Sequence, residues 1–429
     1  MPPRRKSDKA AAPVAEPAAP ATLLEANSTG LISREKDSRR SSLLYQLWKE
    51  GPISRGALAD LMGINLPTVS AIVQELIKSG EVIEEGFATS TGGRKAQLLD
   101  VNPKQGGVVA VEFSSRGILS ASSDMKGRLH NHVIRPFSPS MGKEAALNAI
   151  MSAIDDQVVF LKEDEGLECS RIGMVLSGLI DEVKGVSLSF PRFEEWQNVP
   201  IADILAERYS VPVTVSSHVI GTTLAESIFG RFKDTRNFIY VHLGPGLAIG
   251  MVVDGYVYRG RKATVGEFGH MTVDDNGPIC YCGNYGCLET VSSDWALVQQ
   301  AENAINEGVK THIPQHVDDS GRITPAAIFH AAEMGDRLAS NMIDKAGHSI
   351  GTVLAGVVNL LAPEAILFGG SMSEDGDRLI KAVQHTIKRR ALEALESDIQ
   401  VDIGSFGAQA GVFGAVAVAL HQHYTSFED

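Results

Sequence analysis

Four residues in the middle of this 429-residue chain have the types and spacing of a metal site. Cys280, Cys282 and Cys287 fall within eight residues and are three of the chain's four cysteines, and His270 lies ten residues upstream of the first. Thiolates and a neutral imidazole are the donors a tetrahedral zinc takes, and three Cys with one His close its shell, leaving no position for an activated water. Gly277, Pro278, Gly283 and Gly286 let the intervening backbone turn tightly enough to aim four side chains at one point. Three ordinary buried thiols beside an unconnected histidine are the bland alternative, and their concentration in one stretch argues against it. A structural Zn2+ on His270, Cys280, Cys282 and Cys287 is therefore expected.

The flanking sequence must supply the elements that hold this stretch. Ahead of it, residues 238–260 read as strand, glycine turn, strand; behind it, 294–310, 324–361, 377–396 and 408–423 read as helices. Further upstream, 108–130 read as two strands around a turn, 141–168 as a helix, 171–181 as a buried strand, and 211–227 as a strand followed by a helix. At this length two or three domains are expected, and a hydrophobic fraction of 44% is enough for real cores.

The first hundred residues have another character. Residues 1–36 are rich in Ala and Pro and read as a disordered tail, in which Arg4, Arg5 and Lys6 could touch phosphate or simply solvate the chain. Over 41–50, Leu43, Leu44, Leu47 and Trp48 recur at helical spacing until Gly51-Pro52 ends the pattern. Ser54 is a natural cap for a second helix, 55–62, with Leu58, Leu61 and Met62 inward. Asn65 can cap a third, 67–79, with Pro67 in its first turn and Val69, Ile72, Val73, Leu76 and Ile77 inward. Two short apolar segments follow, 81–84 and 96–101, joined by a Gly- and Thr-rich loop. Three short helices and a two-stranded ribbon make a winged helix-turn-helix over 37–105, whose third helix enters the major groove. Asn65, Thr68 and Ser70 lie near the N-terminus of that helix, where base edges and phosphates are reached. In the wing, Gly93 allows close backbone approach, Arg94 suits the minor groove and Lys95 a phosphate. A small helical protein-interaction domain is the alternative. Gly106-Gly107 then reads as a hinge into the remainder, 106–429.

Charge permits this reading without demanding it. The net charge is −13, but residues 1–105 carry 14 Lys and Arg against 12 Asp and Glu, so the acid is concentrated in the larger C-terminal part. No apolar run approaches the ~20 residues of a membrane span, and no apolar segment follows the basic N-terminal residues, so neither a membrane association nor a secretory signal is expected. Cysteines spaced for metal rather than for disulfides fit a reducing cytoplasm.

The metal stretch resembles the signature of the ROK family (repressors, open reading frames and sugar kinases). Gly266-Glu267-Phe268-Gly269-His270 is similar to its Gly-Glu-x-Gly-His, and the run from Cys280 to Glu289 to its Cys-x-Cys-Gly-x-x-Gly-Cys-x-Glu. The resemblance extends from about residue 38 to 423. It implies a zinc beside a sugar pocket, with Glu267, His270 and Glu289 contacting sugar hydroxyls. Pro52-Ile53-Ser54-Arg55, Pro67-Thr68-Val69-Ser70 and Thr91-Gly92-Gly93-Arg94 resemble the DNA-binding half of xylose-type ROK repressors, which ROK kinases lack. The implied fold is an N-terminal winged helix-turn-helix plus two actin-like (ribonuclease-H-like) α/β lobes around a ligand cleft.

The departures from the kinase pattern are specific. Where ROK kinases carry Asp-x-Gly-Gly-Thr for ATP phosphates, this chain has Glu112-Phe113-Ser114-Ser115-Arg116. Where they carry Glu-Asn-Asp, whose Asp is the general base, it has Ser216-Ser217-His218. Pro245 replaces the Thr of Leu-Gly-Thr-Gly and removes a backbone N–H. Arg192 stands where an Asn commonly binds the sugar. His218 could act as a base, or as a donor in a pocket wall. The expectation is a non-enzymatic regulator, acting on double-stranded operator DNA as a homodimer or homotetramer. Arg192, Ser217, His218, Glu267, His270 and Glu289 would form its effector pocket. If Arg192 and His218 both face the cleft, an anionic sugar derivative is the expected effector. The alternatives are an ATP-dependent sugar kinase with an added DNA-binding domain, and a regulator controlled by a protein partner.

Overall fold

A computed structural model describes residues 28–89, 95–260, 264–318, 321–374, 376–396 and 398–425. Its first unit holds helices α1 (Ser28–Glu50), α2 (Arg55–Met62) and α3 (Leu66–Lys78) and strands β1 (Ile53–Ser54), β2 (Val82–Phe87) and β3 (Gln97–Val101). Helix α1 begins well inside the stretch expected to be a tail. Once its Leu43–Trp48 stripe is anchored, each residue added upstream gains a hydrogen bond at little further cost. Ser54 accepts from Ala57 N and caps α2, and Asn65 accepts from Thr68 N and caps α3. Leu58, Val69, Ile72, Val73 and Leu76 are buried, whereas Leu61, expected inside, is 52% exposed because α2 turns only its Leu58/Ala59 edge to the core. The strands pair antiparallel in the order β1-β3-β2, so the ribbon gains a third strand too short to announce itself in sequence.

Two five-stranded sheets make up the body. The first contains β4 (Gly107–Ser114), β5 (Gly117–Asp124) and β6 (Leu129–Arg135), then, after α4 (Lys143–Glu163), β7 (Cys169–Leu176). A small sheet of β8 (Leu179–Asp181), β9 (Val186–Ser189) and β10 (Gln197–Val199) intervenes, followed by α5 (Ile201–Tyr209), β11 (Val213–Ser217) and α6 (His218–Ile228). The second sheet starts with β12 (Phe238–Leu243), β13 (Leu247–Val253) and β14 (Tyr256–Val257). Helices α7 (Leu288–Ser292), α8 (Asp294–Asn306), α9 (Pro325–Glu333) and α10 (Arg337–Leu361) lead to β15 (Ala365–Gly369). Then come α11 (Ser371–Glu374), α12 (Asp377–Arg390), α13 (Glu393–Glu396), β16 (Gln400–Ile403) and α14 (Ala410–Thr425).

The sheet orders are β6-β5-β4-β7-β11 and β14-β13-β12-β15-β16. In each, three antiparallel strands are followed by two parallel ones, placed third-second-first-fourth-fifth. This is one topology used twice, an internal repeat with no counterpart in the letters of the chain, and it makes the two actin-like lobes. Strand β4 alternates as a strand buried on both faces must: Val109, Val111 and Phe113 pack with α4 and α5, Val108 and Ala110 with α14.

The C-terminal helix α14 returns to the first lobe and joins it to the N-terminal unit. Leu43, Leu47, Trp48, Leu58 and Leu76 share one continuous core with Val412, Val416, Leu420 and Tyr424. Trp48 lies 5.1 Å from the Tyr424 ring and 5.6 Å from Phe229, and Tyr424 OH donates to Met125 O at 3.0 Å. Buried Asp100 pairs with Lys126 across the same joint. The glycines expected as a hinge are packed instead. A Cβ on Gly107 would stand 2.6 Å from Leu161, and one on Gly106 2.7 Å from Ser170. Their missing side chains allow close approach rather than bending.

Among the described residues no single helix is long and apolar enough to cross a membrane.

Candidate functional site

The metal stretch is a loop with little regular structure, held by the isolated bridges Thr272↔Cys287 and Ile279↔Tyr285. Cys280 N donates to Asn284 O at 2.7 Å and Gly283 N returns to Cys280 O at 2.9 Å, closing the turn that carries Cys282. Gly283 (φ 91°) and Gly286 (φ 59°) sit in the left-handed region that this turn requires. A tetrahedral zinc, with bonds of about 2.3 Å to sulfur and 2.0–2.1 Å to nitrogen, sets its donors about 3.5–3.8 Å apart. Here His270 Nδ1 lies 3.5 Å from Cys280 Sγ, Cys282 Sγ lies 3.7 Å from Cys287 Sγ, and all four donor atoms are within 4.8 Å of one another. The cluster can hold a metal ion, and its donor chemistry and spacing fit zinc. Burial and the neighbouring thiols push the Cys287 thiol up. Three thiols this close ionise together only beside a cation, which a bound metal would supply. His270 turns its other nitrogen, Nε2, to Tyr281 OH at 3.1 Å and to Glu267 Oε2 at 3.8 Å. That arrangement would orient the ring as a ligand.

The same loop and the start of α7 bring Glu267 and Glu289 together. Glu289 is 5% exposed and accepts from Leu247 N at 3.4 Å. Burial pushes its carboxyl up to about 7, with Glu267 and Asp294 adding to the rise and Arg192 opposing it. Burial likewise raises Glu267, and takes Asp294 up to about 6 against the pull of Trp295 N, Ser371 and Arg192. Arg192 occupies a left-handed conformation (φ 59°) and lays its guanidinium over the Trp295 ring, 4.4 Å from the centroid. It does not pair with Glu195, which accepts from Lys143 N. A cavity of about 470 Å³ runs from Arg192 and Asp294 along α8.

His218 opens α6 behind the Ser217 cap, whose hydroxyl accepts from Ile220 N at 3.4 Å. Its Nε2 lies 3.5 Å from Glu112 Oε1, and its ring packs edge-on to His242 at 4.8 Å. Glu112 is 1% exposed and receives Arg116 Nη2 at 3.1 and 3.2 Å. Burial alone would raise this carboxyl, but His218 and Arg116 outweigh it and hold it at about 2. Burial, reinforced by His218, drives His242 down to about 3, so it is a neutral ring. The positions at which a ROK kinase keeps its first phosphate loop and its base are thus joined in one cluster, with Arg116, His218 and His242 around buried Glu112. Gly411 at the start of α14 fits against Glu112, where a Cβ would overlap the carboxylate.

The geometry gives both basic substitutions contacts within the protein. His218 is turned to Glu112, Arg192 is spread on Trp295 near two carboxyls, and Glu267, Glu289 and Asp294 face the same region. Ser217 is likewise spent as a helix cap. Sequence reading passed over Asp294, Trp295 and His242 because no motif contains them. Only the packing of α8 and β12 brings them to the cleft.

On the N-terminal unit, Asn65 Oδ1 accepts from both Thr68 N (2.9 Å) and Thr68 Oγ1 (2.7 Å), so these two residues shape the start of α3, and Ser70 is half-buried. The exposed face of α3 carries Pro67, Ala71, Gln74 and Lys78, of which only Pro67 was singled out from sequence. Lys95 is exposed at the end of the wing, and Gly93 and Arg94 lie outside the described residues.

Comparison with known proteins adds to this geometry. The ROK family profile matches residues 123–422, and a winged helix-turn-helix DNA-binding profile matches residues 36–82. The chain is 29% identical over 371 residues to the xylose repressor of Caldicellulosiruptor bescii, covering 86% of this chain and 92% of the relative. It is 30% identical over 365 residues to the DNA-binding transcriptional dual regulator NagC of Escherichia coli (84% and 87% covered). Among solved structures, a ROK family transcriptional regulator homologous to E. coli Mlc superposes with a TM-score of 0.78 at 26% identity, covering 92% of this chain and 98% of that one.

Proposed function

Because this chain belongs to the ROK family and carries a winged helix-turn-helix ahead of the ROK body, we propose that it is a DNA-binding transcriptional repressor whose operator affinity is set by a sugar. The observation that carries the reading is the pairing of that reading head with a sugar-kinase body whose base position, His218, faces Glu112 instead of a substrate. The kinase base is an Asp, and here its place is taken by a histidine whose Nε2 is turned to Glu112. The relatives named as a repressor and as a transcriptional regulator support the same conclusion.

The metal is zinc, structural, and held by His270, Cys280, Cys282 and Cys287. Their four donors would complete its shell, and zinc would tie the loop bearing Glu267 and Glu289 to the fold. The effector is an uncharged sugar: Glu267 and Glu289, with His270 behind them, accept and donate to its hydroxyls, and Arg192 stands at the rim. The protein acts as a dimer or higher oligomer, which presents two α3 helices to successive major grooves. Asn65, Thr68, Ser70, Gly93, Arg94 and Lys95 place the head on DNA.

The test is fluorescence anisotropy on duplexes selected from a random pool, with and without a panel of neutral sugars, alongside a sugar-dependent ATP-turnover assay. Sequence-specific binding that one sugar weakens about tenfold or more is expected, with no turnover. Turnover abolished by His218→Ala, or an absence of specific DNA binding, would overturn the proposal. Specific binding that no sugar alters would transfer control to a protein partner.

A further inference from the structure

The groove along α8 lies outside the sugar-facing carboxylates, and the monosaccharide reading leaves it unused. Its size, about 470 Å³, falls within the ~300–1,000 Å³ of small-molecule pockets. Trp295, Val298, Gln299 and Glu302 recur on one face of α8, and Pro325 at the start of α9 closes the far side. The lining is amphipathic in a particular way. The indole, Val298 and Pro325 make an apolar floor, while Asp294, Gln299, Glu302 and Arg192 put hydrogen-bonding groups around it. A pyranose ring has the matching distribution, C–H groups on its faces and hydroxyls at its edge. Arg192 lines the groove with its guanidinium over Trp295, and Glu289 on α7 stands five residues before Asp294, which opens α8, so the two regions adjoin.

We infer that the α8 groove is a second sugar subsite continuous with the Glu267/Glu289 pocket, so that the effector is a neutral glycoside of at least two sugar units. The inference rests on the sugar-effector reading above and names the size class of that effector. The inner unit meets Glu267 and Glu289, and the outer unit lies on the Trp295–Val298–Pro325 floor with Gln299 and Glu302 on its hydroxyls. Arg192 spans the linkage.

Isothermal titration calorimetry on the full zinc-loaded chain tests this with paired probes: xylose and xylobiose, glucose with cellobiose and maltose, N-acetylglucosamine and its β-1,4 dimer. At least one disaccharide is expected to bind about tenfold more tightly than its own monosaccharide. Trp295→Ala should erase that advantage while leaving the monosaccharide within about threefold of wild type. Gln299→Ala, at the exposed rim, should weaken the disaccharide alone. Equal affinities for each pair, or equal loss of both ligands in Trp295→Ala with no effect of Gln299→Ala, would overturn the subsite and leave the sugar-effector reading intact. Failure of every probe to bind would overturn both.

Discussion

Cys282 is the exposed member of the metal quartet and Cys280 and Cys287 are buried, so replacing it disturbs coordination with little loss of packing. Cys282→Ser is expected to reduce bound zinc, measured by atomic emission, to less than half that of wild type, and to lower the melting temperature. A chelator should bring wild type to the same point and change the variant little, because metal binding and folding of the loop are linked. Wild-type zinc content in the variant would remove Cys282 from the ligand set. The residue scale also shows what the histidine at the base position meets. His218 Nε2 lies 3.5 Å from Glu112 Oε1, so one of its ring nitrogens is turned to a buried carboxylate.

At the scale of elements, the proposed function gives α3 and the wing different work on DNA. Gln74 stands on the exposed face of α3, one turn beyond Ser70, in the position from which an amide can meet a base edge in the major groove. Lys95 sits at the foot of the ribbon. Gln74→Ala is expected to cost about 1–3 kcal/mol on the selected duplex and almost nothing on scrambled DNA. Lys95→Ala should weaken both alike and reduce the salt dependence of binding by about one phosphate contact. Competition anisotropy across a salt series separates the two, and a uniform loss for Gln74→Ala would recast it as a backbone contact. Asn65 and Thr68 belong to a different category, for their mutual hydrogen bonds make them the cap that sets where α3 starts.

The whole molecule is tied together by α14. It crosses α6 at a glycine–glycine contact, where a Cβ on Gly414 would stand 2.8 Å from the Gly221 carbonyl carbon, and its far end supports α1 through Tyr424 and His421. The helix that opens with His218 and the helix that carries the DNA-reading unit therefore rest on one bar. The joint is sensitive to acid. Burial, with nearby arginines assisting, takes His421 and His423 from 6.5 down to about 4. Between these values the unfolded chain binds protons that the folded joint refuses, so stability is full above about pH 6.5 and falls as pH drops toward 4. Urea unfolding at pH 7.5 and pH 5 is expected to show that loss, and His421→Gln should flatten it. A midpoint that stays constant across this range in wild type would count against the joint as the acid-labile element.

Part of the protein was legible in its letters because some physics is local. A cap oxygen and its N–H lie three residues apart, so Ser54 and Asn65 announced their helices. The Leu43–Trp48 stripe and the Val69–Leu76 stripe have helical period. Four metal donors separated by tight turns can meet nowhere but at one point. The rest depended on contacts between residues far apart in the chain. Gly106 and Gly107 look like a hinge until Ser170 and Leu161 press against them. Arg192 and His218 look like side chains held out to a ligand until the fold lays Arg192 over Trp295 and sets His218 3.5 Å from Glu112, two contacts between residues far apart in sequence. The repeated strand order of the two lobes, the groove on α8 and the union of the DNA-reading unit with α14 have no signature in sequence. They follow from which faces lie against one another, and that is decided only when the whole chain has packed.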